Sequence, residues 1–210
     1  MPIRVEQVMP PMLSLQALQN RRAEAGIPRR FRDTRFDTLQ PAVAPDALQS
    51  CRQYAQAGHV EGKPGLLLLG RPGTGKTTLG VCILHAFIER FHGRRTVRFW
   101  NVPRGLIALQ SEFGQRQRTA TTIPDLACYA LLLLDDLGKH PLSAWVQHQF
   151  YALLDDLWSQ QKRVVITSNL REDEFMQMDE ALLSRILGLC HVIRLEGKDY
   201  RLNPPSPHQE

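Results

Sequence analysis

LLLLGRPGTGKTT, residues 66–78, joins four leucines to a glycine-rich turn that ends in a lysine and two threonines. Residues 70–77 satisfy the pattern G-x-x-x-x-G-K-[ST], in which the glycines let successive backbone N–H groups point inward at a phosphate. The stretch stands between an apolar strand and an amphipathic helix, which is the context that a phosphate-binding loop needs. An ordinary Gly/Pro turn is the alternative. The stretch therefore predicts an α/β fold that binds a nucleotide.

The same loop supplies candidate residues for ATP and Mg²⁺, the two cofactors that we expect. In this pattern the ammonium of Lys76 bridges the β- and γ-phosphates, the hydroxyl of Thr77 binds Mg²⁺, and the N-terminus of the following helix adds its dipole. The residues expected to contact the nucleotide are Gly70, Pro72, Gly73, Thr74, Gly75, Lys76, Thr77 and Thr78.

A phosphate-binding loop of this kind requires a second buried strand that ends in an acid. LLLLDD at residues 131–136 is such a strand. We expect the carboxylate of Asp135 to hold the magnesium together with Thr77, and that of Asp136 to polarise the attacking water. A buried strand that ends at a surface acid pair would be the simpler interpretation if LLLLDD stood alone.

Alternating strands and helices predict the architecture. Uninterrupted apolar strands are typical of parallel sheets that are covered on both faces, so we expect five parallel strands flanked by helices. The expected strands are 66–69, 96–100, 131–135, 164–168 and 191–195. The expected helices are 13–22, 45–57, 76–91, 103–113, 143–158 and 179–187.

Composition narrows the class of protein. A chain of 210 residues with 43% hydrophobic and 22% charged residues is an ordinary single globular domain. Residues 21–35 carry six arginines against two acids, within a formal charge of +5. Four scattered cysteines without a C-x-x-C pair argue against a disulfide framework and a zinc site. With no signal peptide and no apolar run of about 18 residues, we expect a cytoplasmic protein.

Further motifs give the chain a definite resemblance. It resembles the P-loop ATPases of the AAA+ superfamily, specifically the group that contains DnaC-type replicative-helicase loaders and IstB transposition ATPases. Besides the two nucleotide motifs, the resemblance depends on GIPRRFRDTRFDTL (26–39), VVITSNL (164–170), LLSRILG (182–188) and EGKDYRL (196–202). It implies an N-terminal extension at 1–40 for partner binding, an ATPase domain at 41–203 without a C-terminal lid domain, and a flexible tail at 204–210.

The resemblance also implies roles for three more residues. Asn169 would lie at the tip of the sensor 1 strand and orient water or touch the γ-phosphate; a turn-forming asparagine is the alternative. Arg185 would be the arginine finger that reaches the nucleotide of a neighbouring subunit; a surface arginine is the alternative. Arg201 would contact the nucleotide as a sensor 2-like residue. The family often has another arginine four residues before the finger, where this chain has Ala181.

DNA contacts follow from the resemblance too. Phe113 matches an aromatic residue of the family's DNA-binding segment, and Arg116 and Arg118 come soon after. Aromatic stacking with nearby cations is how proteins bind single strands without reading sequence. A core phenylalanine beside a solvated arginine face is an equal alternative. Trp145 either faces the interior of a ring of subunits or packs in the core.

The resemblance implies a function with two main alternatives. The first is an ATPase that self-associates through nucleotide at subunit interfaces and engages single-stranded DNA and a hexameric DnaB-type replicative helicase. The second is an IstB-like ATPase that binds duplex DNA and activates a transposase. We rank the loader first because GIPRRFRDTRFDTL is typical of loaders. A solitary nucleotide switch or a small-molecule kinase would not need the sensor and finger residues.

Overall fold

A parallel sheet of five strands forms the centre of the fold and confirms the predicted architecture. The computed structural model describes residues 14–39, 45–91, 94–111, 122–138, 143–197 and 199–200. The strands are Gly65–Gly70 (β1), Val97–Asn101 (β2), Leu131–Asp135 (β3), Arg163–Ser168 (β4) and Cys190–Leu195 (β5). Their order across the sheet is β2-β3-β4-β1-β5, and all neighbouring pairs are parallel. Both nucleotide motifs therefore end at the same edge, with β4 between them.

Helices cover both faces of this sheet. The described residues form Leu15–Glu24 (α1), Pro45–Ala57 (α2), Lys76–Arg90 (α3), Val102–Ser111 (α4), Ala144–Ser159 (α5), Glu172–Phe175 (α6) and Glu180–Leu189 (α7). Three short 3₁₀ turns lie at Arg29–Phe31, Phe36–Thr38 and Pro124–Cys128. None of the described helices is long and apolar enough to cross a membrane. No helix follows β5 within the described part of the chain.

Side chains alternate between two cores, one on each face of the sheet. In β1, Leu66 and Leu68 enter the core under α2 and α3, whereas Leu67 and Leu69 enter the core under α5 and α7. Successive side chains of a strand point to opposite faces, so a strand that is covered on both sides needs apolar side chains towards both cores. This explains why β1 reads as four consecutive leucines.

The arginine-rich N-terminal segment packs on one of the two cores of the fold. Ala25 is buried, and its carbonyl accepts a hydrogen bond of 2.8 Å from the backbone N–H of Phe99 on the edge strand β2. Arg22 and Arg35 both pair with Glu89 of α3, at 2.8 and 2.9 Å. Arg21 also pairs with Glu24 at 3.0 Å, so three of the six arginines form ion pairs within the described part of the chain. The described residues of the expected N-terminal extension are continuous with the core.

His85 is a buried histidine beneath this segment. The residue has no solvent-exposed surface, and its Nε2 lies 3.0 Å from the carbonyl oxygen of Phe31. A carbonyl only accepts, so Nε2 carries the proton of the neutral ring. Nδ1 has no hydrogen-bond partner in the described part of the chain. Desolvation by burial is the main reason that the pKa of His85 is lowered to about 4.

We expect His85 to make the folded state sensitive to mild acid. The unfolded chain takes up a proton near pH 6.5, whereas the folded chain resists protonation until about pH 4. The free energy of unfolding is therefore highest above pH 6.5 and falls as the pH drops towards 4. When the pH falls from about 7.5 to about 5.5, this histidine alone should lower the free energy of unfolding by about 1.4 kcal/mol. Denaturant unfolding of the wild-type and His85→Gln proteins at both pH values measures this decrease. The variant should lose about 1.4 kcal/mol less stability than the wild type. An equal loss of stability in both proteins would contradict the assignment to His85.

Candidate nucleotide-binding site

The phosphate-binding loop links the carboxyl end of β1 to the start of α3. Gly73 and Gly75 have φ angles of 82° and 92°, a left-handed conformation that glycine adopts without strain. Gly75 is the N-cap of α3, a helix of 15 residues, so the N–H groups of its first turn are available to an anion. Apart from Arg201, the residues expected to contact the nucleotide lie between the last residue of β1 and the first turn of α3: Gly70, Pro72, Gly73, Thr74, Gly75, Lys76, Thr77 and Thr78.

Lys76 holds its ammonium group inside the loop. The residue is only 4% exposed, and Nζ donates hydrogen bonds of 2.6 Å to the carbonyls of Gly70 and Arg71. A third contact, at 3.3 Å, joins Nζ to the hydroxyl of Thr74. A buried cation needs such partners, because burial without them costs several kcal/mol. The ammonium therefore lies inside the loop, and its contact with the β- and γ-phosphates stays a prediction.

Asp135 is the centre of a hydrogen-bond network at the carboxyl end of β3. The residue is 3% exposed. Its Oδ1 accepts hydrogen bonds from the hydroxyls of Thr77, at 2.7 Å, and Thr167, at 2.9 Å. Its Oδ2 accepts one of 3.1 Å from the side-chain amide of Asn101. The structure thus brings Thr77 and Asp135 together.

These donor atoms fit Mg²⁺. The hydroxyl of Thr77 and the carboxylate of Asp135 are hard oxygen ligands 2.7 Å apart. Mg²⁺ commonly takes one or two protein ligands and completes its shell with water and substrate phosphates. No group of three or more His, Cys, Asp and Glu side chains suited to a metal occurs among the described residues. The chemistry matches a magnesium ion that arrives with a nucleotide better than a resident metal centre.

Thr167 and Asn101 are site residues that sequence reasoning missed. Asn101 is the register partner of Asp135 in the neighbouring strand β2. Thr167 lies in β4, on the other side of β3, and its hydroxyl also accepts the backbone N–H of Asp136 at 3.0 Å. Both are polar residues at the carboxyl ends of the strands beside Asp135. That signal was present in the sequence and becomes specific once the strand order is known.

Asp136 and Asn169 form a second polar pair, next to the hydrogen-bond network of Asp135. The side-chain amide of Asn169 donates a hydrogen bond of 2.5 Å to Oδ1 of Asp136. Asp136 has a φ of 64°, which is uncommon for a residue other than glycine and is often found at functional sites. Two hydrogen bonds to β4 hold this turn, one from the N–H of Asp136 and one from the N–H of Leu137 to the carbonyl of Thr167, at 2.9 Å. The roles of Asp136 and Asn169 in catalysis stay predictions.

Arg185 does not join the site of its own chain. It lies on α7, where its Nη2 pairs with Asp155 at 2.7 Å and contacts the hydroxyl of Tyr151 at 3.3 Å. The hydrogen bond to Tyr151, with a smaller contribution from the charge of Asp155, raises the pKa of Arg185. A finger that acts on a neighbouring subunit has to lie away from its own nucleotide, and its role stays a prediction.

Several candidate residues lie outside the described part of the chain: Phe113, Arg116, Arg118 and Arg201. Trp145, in contrast, is described and is 46% exposed in the first turn of α5. The alternative that it packs in the core is therefore wrong. Its fit to a ring interior stays a prediction.

The closing segment lies directly on the phosphate-binding loop. The N–H of Tyr200 donates a hydrogen bond of 3.1 Å to the carbonyl of Gly73. A Cβ atom added to Gly73 would lie 1.9 Å from Oδ1 of Asp199, so the carboxylate packs against the loop backbone. Sequence reasoning assigned only Arg201 in this segment and missed Asp199.

We expect Asp199→Asn to tighten ATP binding about fivefold, because it removes a negative charge beside the place expected for the triphosphate. Titration calorimetry with magnesium-ATP measures the dissociation constant. Asp173→Asn, which neutralises an exposed acid of α6, is the matched control. An unchanged or higher dissociation constant for Asp199→Asn would show that the carboxylate does not oppose the nucleotide.

The fold and the convergence of these motifs define a P-loop ATP-binding protein with the AAA+ fold. A family model described as IstB-like ATP binding protein matches residues 21–206. The chain belongs to this family, and the resemblance to the DnaC/IstB group is confirmed.

Two of the relatives that the chain matches are named for mobile elements. The chain is 27% identical over 206 residues to an insertion sequence IS21 ATP-binding protein of Pseudomonas aeruginosa, which covers 90% of this chain and 75% of that protein. It is 25% identical over 174 residues to the phage-like element PBSX protein XkdC of Bacillus subtilis, with 78% of this chain and 64% of that protein covered.

Solved structures show the same fold. The DnaC helicase loader superposes with a TM-score of 0.67 at 24% identity, over 80% of this chain and 100% of the other. DnaI superposes with a TM-score of 0.65 at 20% identity, over 82% of this chain and 93% of the other. At such identities the likeness concerns the arrangement of the chain.

Proposed function

We propose that this protein is an ATPase that assembles with copies of itself on ATP and loads a replicative helicase onto single-stranded DNA. The observation that supports ATP hydrolysis is the pair of polar networks at one sheet edge, Thr77 with Asp135 and Asn169 with Asp136. One provides oxygen ligands for magnesium, and the other provides an oriented carboxylate at the next residue. Simple nucleotide storage would need only the first.

The proposed reaction assigns each side chain a separate task. The loop amides and Lys76 bind the β- and γ-phosphates; Thr77 and Asp135 would hold Mg²⁺, which would supply further charge neutralisation when bound. Asp136, oriented by Asn169, accepts a proton from the attacking water. The oxygen of that water bonds to the γ-phosphorus as the bond to the bridging oxygen breaks, which releases ADP and phosphate.

Arg185 completes the site from a neighbouring copy. A guanidinium supplied across a subunit interface stabilises the charge on the transferring phosphoryl group. Hydrolysis then depends on assembly, and assembly depends on nucleotide at the interface. This coupling is what an ATP-dependent loader requires.

The choice of partner is supported by the N-terminal segment. GIPRRFRDTRFDTL resembles a segment of helicase loaders, although the IstB-like family model spans it too, and its residues Ile27 and Phe36 pack into the core. We propose that residues 1–40, with the exposed Arg29, Arg30 and Arg32, contact a DnaB-type helicase hexamer in the cytoplasm. Phe113, Arg116 and Arg118 are proposed to contact the single strand, through stacking and charge.

Co-elution tests the loader role. The protein is mixed with the replicative helicase of its own organism, with ATP or with ADP, and the mixture is separated by size. We expect a complex that forms with ATP and an ATPase rate that single-stranded DNA increases. Lys76→Ala should form no such complex. ATP binding without any helicase complex would exclude the loader role and leave the nucleotide site in place.

A second candidate is an IstB-like ATPase for transposition, which the family model and the IS21 relative support. It predicts ATP-dependent assembly on duplex DNA and a complex with a transposase. Filter binding with matched duplex and single-stranded 40-mers separates the two functions, because the loader should prefer the single strand. A transposase reading frame beside the gene would favour this second candidate.

A further inference from the structure

Arg185 makes several contacts outside the nucleotide site. Its guanidinium lies between two aromatic rings of α5, 5.4 Å from the ring centre of Tyr151 and 5.4 Å from that of Trp158. Its Nη2 pairs with Asp155 at 2.7 Å and with the Tyr151 hydroxyl at 3.3 Å. Tyr151, Asp155 and Trp158 are spaced by four and three residues, so they share one face of the helix.

These contacts involve Nη2, the atom of Arg185 that matters most for binding a phosphate. A guanidinium binds two oxygens of a phosphate through either of two edges, one formed by Nε and Nη2 and the other by Nη1 and Nη2. Nη2 belongs to both edges, and it is the atom that Asp155 and Tyr151 engage. The carboxylate of Asp155, 2.7 Å from Nη2, therefore lies where an oxygen of a phosphate would have to approach either edge.

The ion pair between Arg185 and Asp155 is exposed enough to separate. The Arg185 side chain is 32% exposed and that of Asp155 is 48% exposed, so water and salt screen their attraction. The aromatic contacts do not depend on Asp155. If the carboxylate leaves, the two rings of α5 still hold the guanidinium at the surface.

We propose that Asp155 is a latch that blocks Arg185 within its own subunit and yields to the γ-phosphate of ATP bound by a second copy of this chain. Tyr151 and Trp158 keep the released arginine in place. This inference rests on the proposed function, because it takes Arg185 to be a finger that acts between subunits. It adds that the finger is withheld until a phosphate competes for Nη2.

Mixed subunits test the latch in the neighbouring site. The acceptor is Arg185→Ala, which keeps its nucleotide site but has no finger. The donor is Lys76→Ala, which keeps Arg185 but does not bind ATP. Hydrolysis by the mixture then comes from donor fingers in acceptor sites. Adding Asp155→Asn to the donor should lower the donor concentration for half-maximal hydrolysis about twofold to fivefold.

Asp156→Asn in the donor is the matched control, because Asp156 is an adjacent exposed acid of α5 and Arg185 pairs with Asp155 instead. Equal donor concentrations for Asp155→Asn and Asp156→Asn would overturn the latch. A higher concentration for Asp155→Asn would overturn it too, because Asp155 would then help the finger.

A second measurement separates this inference from the proposed function. Sedimentation of the full-length protein with a non-hydrolysable ATP analogue gives the dissociation constant of self-association. We expect Asp155→Asn to lower it about twofold to fivefold and Arg185→Ala to raise it. If the mixed subunits show no hydrolysis, the finger role fails, and this constant still decides the latch: a value unchanged by Asp155→Asn would overturn it.

Discussion

Lys76→Ala should raise the dissociation constant for ATP about 100-fold and abolish assembly on ATP. Hydrogen bonds to a charged group contribute about 1.5–3 kcal/mol each, and two phosphates lose such a partner. The buried position of Lys76 strengthens this expectation, because the residue is 4% exposed and its ammonium donates to loop carbonyls. No other lysine lies on this loop to replace it.

Calorimetry with magnesium-ATP and sedimentation with and without ATP measure the two effects. Arg94→Ala is the matched control, because it removes one positive charge from an exposed position before β2. Lys76 also donates to the carbonyls of Gly70 and Arg71, so thermal unfolding without nucleotide must be compared as well. A folded Lys76→Ala protein that bound ATP within a factor of three of the wild type would contradict the assignment of this site.

The strands could be predicted from the sequence because burial on both faces of the sheet restricts which residues they can contain. LLLLDD ends as β3 at the residue expected, Asp135, and the β4 and β5 strands begin one residue earlier than predicted. Strands covered on both faces are largely apolar, so an apolar run marks the strand, although its ends can include polar residues such as Arg163, Thr167 and Ser168 of β4. Helix α2 begins at Pro45 as predicted, because proline suits a first turn.

The contacts between distant segments could not be predicted in the same way. Asn101 reaches Asp135 only because β2 lies next to β3, and the sequence does not give that order. Asp199 lies on Gly73 because the chain returns over the loop after β5. Local patterns specify strands and helices, whereas such pairs depend on tertiary packing and become visible only in the structure.

The exposed charge of the arginine-rich segment could not be predicted from the sequence either. Its six arginines suggest a basic surface, yet Arg22 and Arg35 both pair with Glu89, which lies more than fifty residues away in the sequence. Net charge alone therefore overstates the basic surface that this segment offers a partner. A helicase or DNA would encounter Arg29, Arg30 and Arg32, which are exposed.

Arg185→Ala should reduce ATP hydrolysis about 1000-fold and leave the affinity for ATP within about threefold. A finger from a neighbouring copy stabilises charge that develops in the transition state, and interactions made there change the rate more than binding. The structure supports this separation, because Arg185 contacts Tyr151 and Asp155 of α5 instead of the loop that holds Lys76.

Steady-state phosphate release at saturating ATP gives the rate, and calorimetry gives the affinity of the same preparation. Arg21→Ala, at an exposed position of α1, is the matched control and should hydrolyse ATP at the wild-type rate. Arg185→Lys should restore only a small part of the activity, because an ammonium cannot bind two phosphate oxygens as a guanidinium does. Full ATPase activity of Arg185→Ala would refute the finger. If hydrolysis recovers when Arg185→Ala is mixed with Lys76→Ala subunits, the arginine must act on the nucleotide of another copy.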